Sequence, residues 1–380
     1  MSLPIAVVAG IAAGGAALLL AVAVAIALWC RARLRARRNR TSETGSSDPS
    51  TLVEWGKGGR SSSAPEHQGA RHFSLEELAL ATNDFSEANL VGAGSFGLVY
   101  KGLLLDGSVV AIKRRIGAPR QEFADEVRRL SEIFHRNIVT LIGSCQEAGL
   151  QMLVFEFSPN GNVSSHLYDS GKGFATRLEF KQRLAIAIGA AKGLNHLHSL
   201  MPPLIHKNFK TSNVLVDENF IAKVADAGLV RLIRGYEDVG SSHGFSSSVY
   251  QDPEAHSVAQ LSESSDVYSF GVFLLELITG REAASLAPQE SRESLAQWLE
   301  AKFSSNELID PRLGGGFTSE GMKEFVGLAF QCLNPSSRRR PKMRLVAAEL
   351  DQILETEMSM TTIMGDGTSI ITLGSQLFTS

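Results

Sequence analysis

Two stretches of this chain carry residues suited to chemistry on a phosphorylated ligand. The first is Leu90-Val91-Gly92-Ala93-Gly94-Ser95-Phe96-Gly97-Leu98-Val99-Tyr100-Lys101-Gly102, a G-x-G-x-x-G-x-V pattern. Alone this is a weak signal, because dinucleotide-binding folds use a similar one. The residues after it decide. A dinucleotide loop opens a helix, whereas Leu98-Val99-Tyr100-Lys101 reads as a strand, Asp106-Gly107 as a hairpin turn and Val109-Val110-Ala111-Ile112-Lys113 as a second strand. The glycines therefore belong to a β-hairpin, with the Lys113 ammonium one strand away. The second stretch is His206-Lys207-Asn208-Phe209-Lys210-Thr211-Ser212-Asn213, after a strand-like Pro203-Leu204-Ile205. Its Asn208 is a carboxamide, which is not a base at neutral pH.

These groups need elements to hold them. Gln121 to Phe134 reads as an amphipathic helix with Phe123, Val127, Leu130 and Phe134 inward. The whole chain has 380 residues, 44% hydrophobic and 20% charged, an ordinary globular balance. A net charge of −3 argues against nucleic-acid binding by bulk electrostatics. Cys30, Cys145 and Cys332 form no close pair and have no His at metal spacing, so neither a disulfide framework nor a zinc site is expected.

Residues 5–29 contain no charge and no Pro, long enough as a helix to span a hydrocarbon core of roughly 30 Å. The basic run Cys30 to Arg40 follows, which places the short end 1–4 outside and the remainder inside. A cleaved signal fits less well: no positive charge precedes the apolar run, and the basic flank is on the wrong side. The reading is a single-pass membrane protein, at the plasma membrane. Gly10 and Gly14 have a small-xxx-small spacing that allows homo- or hetero-oligomers. The Arg run suits anionic headgroups as well as topology, and Cys30 sits where palmitoylation occurs. Residues 30–70 read as a basic juxtamembrane segment and flexible linker, 71–356 as the folded domain, and 357–380 as a tail.

At this point the chain resembles the protein kinases, and specifically the plant receptor-like kinases. The resemblance covers roughly Phe73 to Leu354. Phe73-Ser74-Leu75-Glu76-Glu77-Leu78 and Ala81-Thr82-Asn83-Asp84-Phe85-Ser86 look like that family's first helix. Asp266-Val267-Tyr268-Ser269-Phe270-Gly271-Val272 looks like its central buried helix, and Arg340-Pro341 like its late Arg, which pairs with the Glu of the Pro-Glu motif, here Glu254. The resemblance implies an α+β, bilobal fold, with a β-rich N-lobe at about 85–157 and a helical C-lobe at about 158–356. It also implies ATP and Mg2+ as ligands. Gly92, Gly94 and Gly97 match the phosphate loop. Val99, Ala111 and Leu215 match residues packing on adenine, Phe155 the back of that pocket, and Glu156 and Phe157 the hinge. Lys113 and Glu126 match an ion pair, Asn213 and Asp226 the metal positions, and Lys210 the loop Lys on the γ-phosphate.

The chain departs from the family at four places. Asn208 stands where the Asp base is expected; a positioned base is worth ~10²–10⁴ in rate, or roughly 3–5 kcal/mol of barrier. Lys207 replaces an Arg that binds phosphate in a bidentate manner. Asp226-Ala227-Gly228 stands for Asp-Phe-Gly, leaving a gap against His206 and Leu130, with Leu141 beyond. Gly244-Phe245-Ser246-Ser247-Ser248-Val249-Tyr250-Gln251 lacks the glycines of the peptide platform; its three Ser are phosphosites or a solvated loop. The changes spare the nucleotide contacts and touch the base, the coupling and the platform. The expectation is a pseudokinase that binds ATP and serves as partner or scaffold for active receptor-like kinases or downstream signalling proteins. The alternative is an active, atypical Ser/Thr kinase.

Overall fold

A computed structural model describes residues 70–168, 178–233, 249–255, 258–286, 295 and 308–363. The chain divides into units 1–64 and 65–380, and every described residue lies in the second. The apolar 5–29 stretch, the basic run, the linker and Ser246–Ser248 lie outside the described residues. No described helix is long and apolar enough to cross a membrane.

The first part is a six-stranded sheet. Strands β1 (Arg71–His72), β2 (Leu90–Ala93), β3 (Gly97–Leu103), β4 (Val109–Arg115), β5 (Leu141–Glu147) and β6 (Leu150–Glu156) lie in the order β1-β5-β6-β4-β3-β2. The β3–β4 hairpin turns where the sequence places it. The Asp106 carboxylate accepts the Ser108 N–H at 2.8 Å, and Gly107 takes the positive φ of +85°. Alternation gives the sheet two faces. Val110, Ile112, Met152 and Val154 pack on one side with Phe73 and with Leu78 of helix α1 (Leu75–Ala81), which Phe73 precedes; the helix is started by Ser74, whose hydroxyl accepts the Glu77 N–H. Val99, Ala111, Lys113 and Phe155 occupy the other face: Val99 stands opposite Lys113, and Ala111 opposite both Lys101 and Phe155.

Helix α2 spans Phe123–Ser131 and buries Phe123, Glu126, Val127 and Leu130. It stops three residues short of the expected end, and Phe134 is 62% exposed rather than inward. The chain leaves the helix there because Asn137 must dock on the second part of the molecule: its amide bonds the Ala222 carbonyl at 2.9 Å, and its carbonyl accepts the Val224 N–H. That docking fixes the loop and turns Phe134 out.

The second part is helical: α3 (Val163–Tyr168), α4 (Phe180–Ser199), α5 (Val230–Ile233), α6 (Glu263–Thr279), α7 (Ala283–Leu286), α8 (Ser319–Cys332) and α9 (Met343–Ile363), with the short pair β7 (Val214–Val216) and β8 (Ala222–Val224). Helix α6 is apolar on nearly all sides and is buried almost throughout, as such a helix must be. Ser262 and Ser265 cap its start, and Gly280 ends it at φ +63°. Pro203-Leu204-Ile205 forms no strand; it runs as loop, with no sheet edge beside it. Helix α9 continues past the expected domain end at 356, because Glu357 is fully buried and accepts the Thr318 N–H and hydroxyl at the start of α8. Arg340 pairs in a bidentate manner with Asp252 at 2.7 and 2.8 Å, not with Glu254, which instead accepts the Ser337 N–H. Asp252 is buried and Glu254 is not, so the guanidinium fork reaches inward.

Candidate functional site

Helix α6 holds the loop around Asn208. The Asp266 carboxylate, 1% exposed, accepts the backbone N–H of His206 at 2.8 Å and of Lys207 at 2.9 Å, and faces His198 Nε2 at 2.8 Å. Lys207 is thereby held at φ +64°, a left-handed conformation few side chains favour. The His206 ring, fully buried, meets the Ala225 carbonyl at 2.9 Å and stands edge-on to Phe209. Burial pushes the His206 pKa down. Phe209 is buried against Phe270 and Phe273 of α6. The loop is thus anchored from below through backbone and rings, with Asn208 at its turn. The Asn208 carbonyl accepts the Asn213 amide at 2.8 Å, and its own carboxamide makes no hydrogen bond among the described residues.

Asn213 and Asp226 are linked through the backbone between them. Asn213 donates through its nitrogen, which leaves Oδ1 for a cation, and the Ala225 N–H bonds the Asn213 carbonyl at 2.8 Å. That bond sets Asp226 beside it, at φ +65°. No group of three or more His, Cys, Asp or Glu suited to a metal occurs among the described residues. The donor set is oxygen-only and sparse, which fits Mg2+ shared with phosphates and water, not a bare protein-bound cation.

The charge pairs differ from expectation. Lys113 bonds directly to Asp226, not to Glu126. Glu126 is buried and bound by two guanidinium groups: Arg129 one turn along α2, and Arg231 of α5 at 3.3 Å. The physical reason is reach and competition. The segment after Asp226 returns against α2, so Arg231 arrives beside Glu126. Lys113 is then left with the nearest other carboxylate. Arg115 and Arg120 complete the arrangement by donating to the Leu232 and Ile233 carbonyls at the end of α5. Lys207 stands near Arg231 and Arg129, and its pKa is lowered, first by burial and then by Arg231, with Asp266 opposing.

Ala227 leaves the gap the sequence implies. A cavity of about 20 Å³ is lined by Leu130, Ile133, Leu141, Phe155, Asp226 and Ala227, with Ile138, Val139 and Val224 completing it. His206, expected at its wall, is not among the lining residues. That volume takes about one water-sized group, so the surroundings have closed in around most of the missing ring.

On the nucleotide side, Val99, Ala111 and Leu215 are half-buried and Phe155 buried. Gly92 and Gly94 have open space where a side chain would begin. Phe96, between them and Gly97, is 4% exposed and belongs to the interior, so the tip of the hairpin is folded inward. The Glu156 side chain turns away from the cleft: it accepts the Thr140 N–H at 2.7 Å and pairs with Lys223 of β8 at 3.0 Å. Phe157 lies under the Lys101 ammonium. Lys210 is half-buried beside the loop, ahead of Asn213.

Sequence reading missed Arg231, Lys223 and a buried cluster at Glu276. There Thr211 donates to Glu276 at 2.8 Å, Tyr250 donates to the same oxygen, and the Ala283 N–H binds the other at 2.8 Å. Burial raises the Glu276 pKa. Arg129 was findable, three residues from Glu126 on one helical face. Arg231 and Lys223 carry no local signal, since their partners are distant in the chain.

The sequence profile of protein tyrosine and serine/threonine kinases matches residues 85–350. A probable leucine-rich repeat receptor-like protein kinase of Arabidopsis thaliana is 37% identical over 326 residues, covering 84% of this chain and 34% of that protein. The proline-rich receptor-like protein kinase PERK1, also of Arabidopsis thaliana, is 41% identical over 290 residues, covering 73% of this chain and 44% of that protein. The chain thus spans less than half the length of these two relatives. Among solved structures, the pseudokinase domain of BIR2, an immune regulator of the RLK/Pelle family, is 33% identical with a TM-score of 0.61, covering 74% of this chain and 86% of that one. The pseudokinase DRIK1, a drought-responsive inactive kinase bound to ENMD-2076, is 27% identical with a TM-score of 0.58, covering 76% and 97%.

Proposed function

We propose that this chain, which belongs to the protein tyrosine and serine/threonine kinase family, is a signalling module that binds Mg-nucleotide but transfers its phosphoryl group poorly or not at all. The observation that carries this reading is Asn208: the loop is built and anchored, yet the side chain at its turn cannot take the proton of an incoming hydroxyl. The family binds ATP with Mg2+, and the donors here fit that pair. Asn213 and Asp226 would hold the cation, Lys113 and Lys210 the phosphates, and Val99, Ala111 and Leu215 the base. The chemistry Mg2+ would supply there is positive charge against the phosphates. Lys113 has to leave Asp226 before both can serve a nucleotide. Phe96 has to move outward for the hairpin to cover phosphates.

The likeness to solved pseudokinases supports the reading. Its partners would be receptor-like kinases or proteins downstream of them, with the 5–29 stretch holding the module at a membrane. A second reading, an atypical active kinase, is favoured by the relatives that bear the name kinase. Thermal shift with Mg-ATP tests the binding half, since a ligand that binds only the folded state raises its stability by mass action. A radiolabel transfer assay tests the other half. Stabilisation without transfer is the expected result; transfer at an ordinary kinase rate, roughly 1–100 s⁻¹, contradicts it.

A further inference from the structure

Where the sheet-bearing part meets the helical part, two imidazoles lie face to face. His135, in the loop after α2, and His196, on α4, have ring centroids 4.7 Å apart and planes 18° from parallel. Both are half-buried. In-plane lone pairs of stacked rings run side by side and do not converge, so this is not a chelating pair. The His135 ring also has a defined protonation pattern. Its Nδ1 accepts the Asn137 N–H at 3.2 Å, so the neutral ring carries its proton on Nε2. A second proton on His135 can go only to Nδ1, where it would point at the Asn137 N–H.

Asn137 is the residue on which this seam depends. Its side chain bonds Ala222, its carbonyl takes the Val224 N–H, and the next residue but one, Val139, donates back to Val224 at 2.9 Å. The loop lies on the bare faces of Gly189 and Gly193 of α4: a Cβ at Gly193 would sit 2.5 Å from the Asn137 carbonyl oxygen. Three basic side chains neighbour His135: His196 from α4, Arg136 from its own loop, and Lys223 from β8, the last paired with Glu156 of β6. Burial and these three neighbours hold the His135 pKa below its ordinary value.

We propose that the His135–His196 stack is a proton-sensitive fastener between the two parts of the fold, closed when both rings are neutral and opened by one proton. The proton replaces the Asn137-to-His135 hydrogen bond with donor against donor and adds a cation beside Arg136, Lys223 and the facing ring. The consequence is release of the 135–139 loop from β8, the strand that leads to Asp226, and with it of helix α2. No nucleotide is involved, so the device stands whether or not the chain binds ATP.

The test is hydrogen exchange of the 132–140 segment in the full chain at pH 7.5 and pH 5.8, corrected for the intrinsic pH dependence of exchange. The wild-type chain is compared with His196→Phe and His196→Tyr. Both variants keep an aromatic ring on the stack and remove the facing imidazole. In the wild type, opening should rise by up to about fivefold over the interval, the most that one coupled proton gives when the released ring has the ordinary value of about 6.5. In a folded variant it should rise by about twofold or less, because the face of a Phe or Tyr ring attracts a proton-bearing His135 and offsets the lost Asn137 bond. An equal rise in wild type and both variants, or no rise in the wild type, overturns the proposal. If one variant does not fold, the other carries the comparison.

Discussion

Two regions bordering one cleft behave differently. The floor is held from α6, where Asp266 binds the His206–Lys207 backbone and Phe209 packs on Phe270. The wall beside Lys113 is held by ion pairs other than the expected one: Lys113 takes Asp226, and Glu126 takes Arg129 and Arg231. The floor is fixed by buried carboxylate-to-backbone bonds and ring packing, which admit few alternatives. The wall is fixed by long cationic side chains reaching over several ångströms, and several carboxylates lie within that reach. A buried anchor is determined locally; the partner of a lysine or arginine depends on where a distant segment comes to rest.

Breaking the floor should have the largest effect. Asp266→Ala leaves two backbone N–H groups and His198 without their carboxylate, and should cost ~3–5 kcal/mol, the scale for removing one member of a buried charged network. Chemical denaturation measures it; a loss under about 1 kcal/mol would mean the loop is held by something else. Acid should act next. His206 and His135 both have depressed pKa values in the folded chain. Above the ordinary His value of about 6.5 they are neutral in both states and stability is level with pH. Below it the unfolded chain takes the protons first, so stability falls, by up to about 1.4 kcal/mol per pH unit for each group. A melting temperature that stays flat from pH 7 to pH 5 would contradict this.

The wall is more tolerant. Ala227→Leu adds three carbons to a space beside Leu130 and Leu141 that holds about one water-sized group, and should destabilise by about 1–3 kcal/mol through overpacking. Stabilisation would show that α2 yields and that the space can reopen. Arg231→Ala removes one partner of Glu126; with Arg231 45% exposed at its side chain, the stability change should stay within ~0.5–1 kcal/mol. Mg-ATP should then bind more tightly in calorimetry, because Glu126 loses a competing guanidinium and can draw Lys113 off Asp226; unchanged affinity would contradict this. The smallest effect is expected for Asn208→Asp, which supplies a base but leaves Ala227 and the Glu126 pairing as they are. Transfer should remain near background in the radiolabel assay.

Much of this was legible in the chain. The glycine hairpin and the Asp106-Gly107 turn follow from local pattern, and α6 from the resemblance to the kinase family. The exit of α2 before Phe134 was not legible, because it is imposed by Asn137 docking on β8, residues some eighty positions away. Arg340 was legible as a buried partner but not as to which carboxylate, since Asp252 and Glu254 differ by two positions and only folding shows which one points inward. The α9 overrun past 356 depends on Glu357 capping α8, a bond no helical pattern announces.

The most direct test of the central claim is single-turnover phosphotransfer by the purified full chain with excess Mg-ATP, alongside Asp226→Asn prepared the same way. The account predicts bound nucleotide and no product above the variant's background. Product formed at an ordinary kinase rate by the unaltered chain, and lost in Asp226→Asn, would contradict it.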